Sequence, residues 1–150
     1  MSATSTFVPT QVDPRGLRVA ATITSVVVAL VLVLPSPARE ILLVLQVAVF
    51  AVAAFVGLDR SPYSIFFKKV VRPRIGAPAE LEDSRPPRFA QLVGFVFTAV
   101  ALLGFLAGAA TVGLVATALA LVAALLNASI GLCLGCELYL VLRRLTPANA

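Results

Sequence analysis

One stretch of this chain carries residues spaced for chemistry. It runs from Asn127 to Tyr139 and holds both cysteines of the protein, Cys133 and Cys136, followed by Glu137. Two thiols one helical turn apart can form a dithiol/disulfide couple, or act as attacking and resolving thiols in sulfur transfer. In the middle of an unbroken helix, fixed side-chain directions strain such a disulfide. A break before Cys133 relieves that strain, and Asn127, Ser129 and Gly131 give the backbone a place to break. Cys133 would then stand at the N-terminus of a new helix, where the dipole favours a thiolate. Glu137 is the acidic residue placed to exchange a proton; its charge opposes that thiolate unless Arg143 or Arg144 pairs with it. Two other uses of the pair stay open. Cysteine packs as a small apolar residue in membrane helices, and near an interface it is an acylation site. A metal site would need ligands from a second subunit.

The rest of the composition narrows the setting. Hydrophobic residues are 60% of the 150 positions and charged residues 13%, against roughly 45–50% and ~25% in a soluble domain. This excludes a disordered chain, collagen, a coiled coil and a disulfide-stapled secreted mini-protein. The net charge of +5 sits on no soluble groove-reading helix, so nucleic acid is not an expected partner. The chain has no His and no Trp, which removes the commonest general base, metal ligand and haem ligand, and no cofactor is expected.

A bilayer core of ~30 Å needs about 20 apolar residues in a helix. The first span is expected over residues 17–34, with Arg18 extending its head group to the interface. The second is expected over 41–58, with Gln46 as its most polar residue. Pro35 and Pro37 stop the helix between them. From Phe89 to Cys136 no charged residue occurs, and as one helix that stretch would be about 72 Å long. It must fold back, and Gly108 to Gly113 offers the best turn, giving spans over 89–108 and 113–136. Cys133 then lies about 30 Å along the fourth span. The first hydrophobic run is longer than a signal-peptide core and lacks a small-x-small cleavage site, so cleavage is not expected. The fold class is therefore all-α: a single transmembrane domain over 1–150, a four-helix bundle of two hairpins.

The basic residues set an orientation. Arg15 and Arg18 precede the first span, seven arginines and lysines lie in the loop over 59–88, and Arg143 and Arg144 end the chain, whereas the two short hairpin turns carry only Arg39. Both termini and the central loop are expected in the cytoplasm, with the protein in the plasma (inner) membrane. Within the loop a short interfacial helix is expected over 62–72, with Ser61 as its cap and Pro62 at its first position. Tyr63, Phe66, Phe67, Val70 and Val71 fall on one face and Lys68, Lys69 and Arg72 on the opposite one, while Ile65 breaks the pattern. Pro73 is expected to end it. Such a helix anchors in the headgroup layer, and its basic cluster also suits an anionic lipid or an acidic partner. Residues 74–88 read as an extended surface loop.

Helices in lipid associate through close packing at small residues. Gly104 and Gly108 mark the third span. Asn127, Gly131 and Gly135 form a stripe on the fourth, with Asn127 expected to face Gln46, Gln91 or Thr98. The stripe reads as internal packing or as the interface of a homodimer.

The pieces Val12-Asp13-Pro14-Arg15-Gly16, Ser61-Pro62-Tyr63, Val71-Arg72-Pro73-Arg74, Pro78-Ala79-Glu80-Leu81-Glu82-Asp83, Pro86-Pro87-Arg88-Phe89-Ala90-Gln91 and Gly131-Leu132-Cys133-Leu134-Gly135-Cys136-Glu137 resemble a family of small bacterial integral membrane proteins classified as a domain of unknown function and frequent in actinobacteria. The resemblance covers nearly the whole chain. Its members often appear beside thioredoxin-like proteins and thiosulfate sulfurtransferases, which implies sulfur or thiol metabolism by association. Two functions follow as expectations. One is a membrane thiol relay in which Cys133 or Cys136 exchanges electrons or sulfur with a thioredoxin-like or sulfurtransferase partner. The other is a non-catalytic assembly subunit or an oligomeric small-molecule transport component. Facing a reducing cytoplasm, both cysteines are expected as free thiols at rest.

Overall fold

The computed structural model describes residues 11–146. The two chain ends, whose side of the membrane the charge pattern addresses, lie outside the described residues. The chain opens with a two-residue strand, β1 (Gln11–Val12), and a long helix, α1 (Pro14–Val33). It turns through Pro35 and Pro37 into α2 (Ala38–Ala51), which continues as a wider π-helical turn over Val52–Val56. A 3-10 turn (Leu58–Arg60) leads to α3 (Pro62–Phe66), a second π-helical turn (Phe67–Val71) and α4 (Arg72–Ile75). A second short strand, β2 (Glu82–Asp83), precedes α5 (Arg85–Leu106), α6 (Ala110–Ile130) and α7 (Leu134–Leu145). Pro14–Val33, Ala38–Val56, Arg85–Leu106 and Ala110–Ile130 are long and apolar enough to cross a membrane. The protein is an all-α membrane helical bundle.

Local chemistry sets the helix starts. The Asp13 carboxylate accepts the Arg15 backbone N–H at 3.0 Å, and Pro14 occupies the first turn, where no backbone donor is needed. α1 therefore starts before the expected Leu17. α5 begins at Arg85 rather than Phe89 for the same reason: Pro86 and Pro87 fit its first turn, and Asp83 accepts the Arg85 N–H at 2.9 Å. The fourth span moves the other way, ending at Ile130 instead of residue 136.

The interfacial segment departs from its expectation in three ways. It runs on to Ile75, because the π-helical turn shifts the hydrogen-bond register and places Pro73 in the first turn of α4, where its missing N–H costs nothing. Ser61 holds the cap position, but its hydroxyl makes no capping bond. The expected apolar face divides. Phe67 is buried and sits where a Cβ on Gly16 would come within 3.0 Å of it, whereas Phe66 and Val70 stay exposed alongside Ile65. Residues 74–88 are not wholly loop, since β2 pairs antiparallel with β1 (Gln11 opposite Asp83, Val12 opposite Glu82).

The spanning helices pack in the cyclic order α1, α2, α5, α6 and back to α1. Each contributes one residue to the central cluster: Val31, Leu43, Ala101 and Ala116. Large apolar side chains such as Val33, Leu103, Leu106 and Ile130 remain exposed on the outside, as a lipid-facing surface requires. Inside, Gln46 is fully buried and accepts a 2.7 Å hydrogen bond from the Tyr63 hydroxyl, while Thr98 and Thr117 donate to carbonyls one turn back in their own helices.

The three basic segments meet at one end of the bundle. Arg15 donates to the Gly76 carbonyl at 2.8 Å. Arg18 donates to Ala128 and Ser129 carbonyls at 3.1 and 2.9 Å, and so caps the end of α6. Arg88 donates to the Ala54 carbonyl at 2.7 Å, satisfying backbone released by the π-helical turn. Arg39 lies at the opposite end, bonded to the Leu34 carbonyl at 2.9 Å and 4.7 Å from the centroid of the Phe105 ring.

The two halves of the chain repeat one plan. Each runs through a short strand, an Asp-x-Arg opening, a helical hairpin, a glycine (Gly57 or Gly131) and a surface helix. The strands of the two halves pair with each other, and the cyclic helix order fits a relation about the bundle axis.

Candidate functional site

The break before Cys133 is present. Gly131 has φ 74° and ψ 12°, a left-handed conformation that an L side chain enters at about 1–2 kcal/mol, and its N–H caps the Asn127 carbonyl at 3.1 Å. Gly131 therefore ends the helix, so Asn127, Gly131 and Gly135 do not form one continuous helical stripe. Cys133 is the N-cap of α7, with φ −92° and ψ 102°, and its Sγ accepts the Cys136 N–H at 3.2 Å. The extended backbone at Cys133 brings the two Cα atoms to 5.1 Å, and Cys133 and Cys136 are joined in a disulfide. The expectation of free thiols is corrected on this point: releasing Cys133 from the helix lets the two sulfurs meet.

α7 is held against the start of α5. A Cβ on Gly135 would lie 2.5 Å from the Cβ of Ala90, so the backbones touch at that level, and the Phe89 and Tyr139 rings pack with centroids 5.7 Å apart. Both cysteines are half-buried. Glu137 is exposed and makes no ion pair among the described residues; Arg143 donates instead to the Tyr139 hydroxyl at 2.9 Å.

Cys133 lines two cavities. A polar one of about 530 Å³ opens at the basic end and is lined by Arg18, Glu82, Asp83, Cys133, Cys136 and Glu137, among others. An apolar one of about 320 Å³ runs up between α1, α5 and α6, and Cys133 lines it too, with Phe50, Phe97 and several alanines. Gln91 and Asn127 face both cavities beside Cys133. Asn127 thus stands near Gln91, one of its three expected neighbours, whereas Gln46 bonds Tyr63 and Thr98 bonds its own helix. Arg85, hydrogen-bonded to Asp83, holds that carboxyl below its usual range, so the polar mouth keeps its negative charge at neutral pH.

The other singled-out residues lie elsewhere. Gly104 packs α5 on α6, where its added Cβ would come 2.9 Å from the Gly113 backbone nitrogen; Gly108 (φ 83°) makes the hairpin turn. Lys68 and Arg72 line a third cavity, about 380 Å³, with Asp13, Asp59 and Arg88, while Lys69 is exposed outside it. Sequence reasoning named Gln91 only as a packing partner and did not see the cavities. The available signal was a carboxamide one turn into an otherwise apolar span, on the face toward Asn127.

No curated protein and no solved structure matches the chain. A family model does, over residues 12–144, from the strand before α1 to the basic end of α7. The chain belongs to that family, described as Domain of unknown function (DUF4395).

Proposed function

We propose that this membrane protein is a thiol–disulfide relay, with the Cys133–Cys136 pair as its exchanging group at the basic end of the bundle. The observation that carries the reading is the disulfide itself, set in a helix break, half-exposed and lining a polar cavity. In the reduced form Cys133 is the attacking thiol. The Cys136 N–H points at its sulfur, and the first turn of α7 adds a favourable dipole for its thiolate. Attack on a partner disulfide forms a mixed disulfide on Cys133 and releases one partner thiolate. Cys136 then displaces the second, closing the protein disulfide and leaving the partner with two thiols. The reverse sequence reduces the protein. Glu137 accepts or returns the thiol proton at the cavity mouth.

The partner class is a thioredoxin-like protein, or a sulfurtransferase that hands over sulfane sulfur at the same cysteine. The clustering of basic residues at one end of the bundle supports inner-membrane placement with both termini in the cytoplasm. The exposed Ile65, Phe66 and Val70 beside Lys68 and Lys69 suit headgroup anchoring.

The test uses purified Cys136→Ser protein and a thioredoxin-like protein whose resolving cysteine is replaced and whose remaining cysteine is supplied as its mixed disulfide with thionitrobenzoate, the leaving thiolate that Cys133 displaces. A mixed disulfide on Cys133 is expected, with little capture by Cys133→Ser. Failure of both variants to capture either this partner or a sulfurtransferase refutes the relay.

A further inference from the structure

The relay described above needs somewhere to send or obtain an electron pair. The apolar cavity meets the sulfur pair from the lipid side. No charged side chain lines it, which suits a neutral ligand. Small residues, Ala20, Ala120, Ala123 and Gly94, leave a narrow slot, and Phe50 and Phe97 supply flat apolar walls. Cys133, Gln91 and Asn127 stand at the end it shares with the polar cavity, and the other polar lining side chain, Thr24, is engaged by Gln46. Among the hydrogen bonds between described residues, neither the Gln91 nor the Asn127 side chain makes one, so both retain N–H donors for a ligand carbonyl. A volume of about 320 Å³ falls within the usual range for small-molecule sites.

We propose that this cavity binds a lipophilic quinone, with its ring carbonyls at Gln91 and Asn127 and its tail among the alanines of α1 and α6, and that the quinone exchanges an electron pair with Cys133 and Cys136. The inference rests on the relay reading and names its second substrate. In the oxidising direction two S–H bonds break and one S–S bond forms. The two electrons and two protons pass to the quinone, whose two C=O groups become the O–H groups of a quinol. In the exchange with the water-soluble dithiol, the thiol protons pass through the polar cavity, where Glu137 stands at the mouth. The protein would therefore join a water-soluble dithiol on one side of Cys133 to a membrane electron carrier on the other.

The experiment uses the full-length reduced protein in lipid nanodiscs and a fully substituted benzoquinone with a short isoprenoid tail, whose ring has no open carbon for thiol addition. Quinone absorbance and remaining free thiols are followed together. One quinone is expected to be consumed per two thiols lost. Ala123→Phe, which fills the slot, should slow the reaction at least tenfold, and Asn127→Leu should raise the quinone concentration at half-maximal rate about tenfold, near the 1.4 kcal/mol of one hydrogen bond. Ala123→Phe, at a residue that lines only the apolar cavity, should keep normal disulfide exchange with the thioredoxin-like protein, which shows that it is folded. Saturable quinone binding should survive in the Cys133→Ser, Cys136→Ser double variant. Oxidation that is unaffected by Ala123→Phe, or absence of binding in a protein that still exchanges thiols, overturns the quinone site and leaves the relay standing. Binding without electron transfer from the sulfurs, in a protein that exchanges no thiols with its partner, overturns the proposal through the relay reading instead.

Discussion

Replacing Gly135 by alanine tests whether α7 is docked as described. The added methyl would lie 2.5 Å from Ala90 Cβ and 2.6 Å from Ala90 Cα. Non-bonded carbons rest at about 3.5–4.0 Å, so α7 must retreat by about 1 Å from α5. Overpacking of this kind costs about 1–3 kcal/mol, equivalent to a fall in Tm of about 3–10 °C for a chain of this size. The remaining anchor nearby is the Phe89–Tyr139 ring contact, so the retreat should loosen the first turn of α7 and the sulfurs in it. The assay is thermal unfolding in detergent, together with the rate at which a membrane-impermeant maleimide labels the reduced cysteines. Tm should fall and labelling should quicken. Adding Ala90→Gly should recover only part of the loss, because the Ala90 Cα remains in the way. A Gly135→Ala protein with parental Tm and parental labelling would refute the close contact of α7 with α5.

Three further outcomes are expected. Tyr63→Phe removes the 2.7 Å bond to the fully buried Gln46 and should destabilise by about 1–3 kcal/mol, with recovery when Gln46→Leu is added; denaturation in mixed detergent measures both. Arg18→Ala strips the cap from the Ala128 and Ser129 carbonyls and should increase hydrogen exchange at the end of α6 and in 131–133 by mass spectrometry, while Arg39→Ala at the other end should leave that segment unchanged. Asp13 and Asp83 are both held below the ordinary 3.8 by hydrogen bonds from the arginine two residues on. Their contribution is then complete above that ordinary value and lost as pH falls through the lower folded value. Tm measured from pH 6 down to 2.5 should show an acid limb that Asp13→Asn with Asp83→Asn flattens.

The four crossings were legible because a span must be apolar for its whole length, and that pattern survives any detail of packing. Their ends were less so. Pro86 and Pro87 read as part of an extended loop, yet a helix accepts proline in its first turn, and the aspartate accepting an N–H there, as Asp83 does, reveals which case applies. Pro73 misled in the same way, since a π-helical turn has no compositional signature. The helix break at Gly131 was readable as an option, because glycine permits the left-handed conformation without requiring it. The sulfur pair could be found by spacing. The cavities that Cys133 lines could not, because they are formed by residues from α1, α5, α6 and α7 whose proximity depends on the cyclic order of the helices.

That cyclic order, with its two matching halves, also bears on how the protein could be built. Each half carries its own hairpin and its own arginines at the entry end, so each has what it needs to insert unaided and in the same sense. Severing the chain between Ala77 and Glu80, where no element crosses, should yield two fragments that insert separately and reassemble within the bilayer into one working body. The halves have divided their labour: one ends in Leu58-Asp59-Arg60 and a greasy foot, the other in a pair of sulfurs.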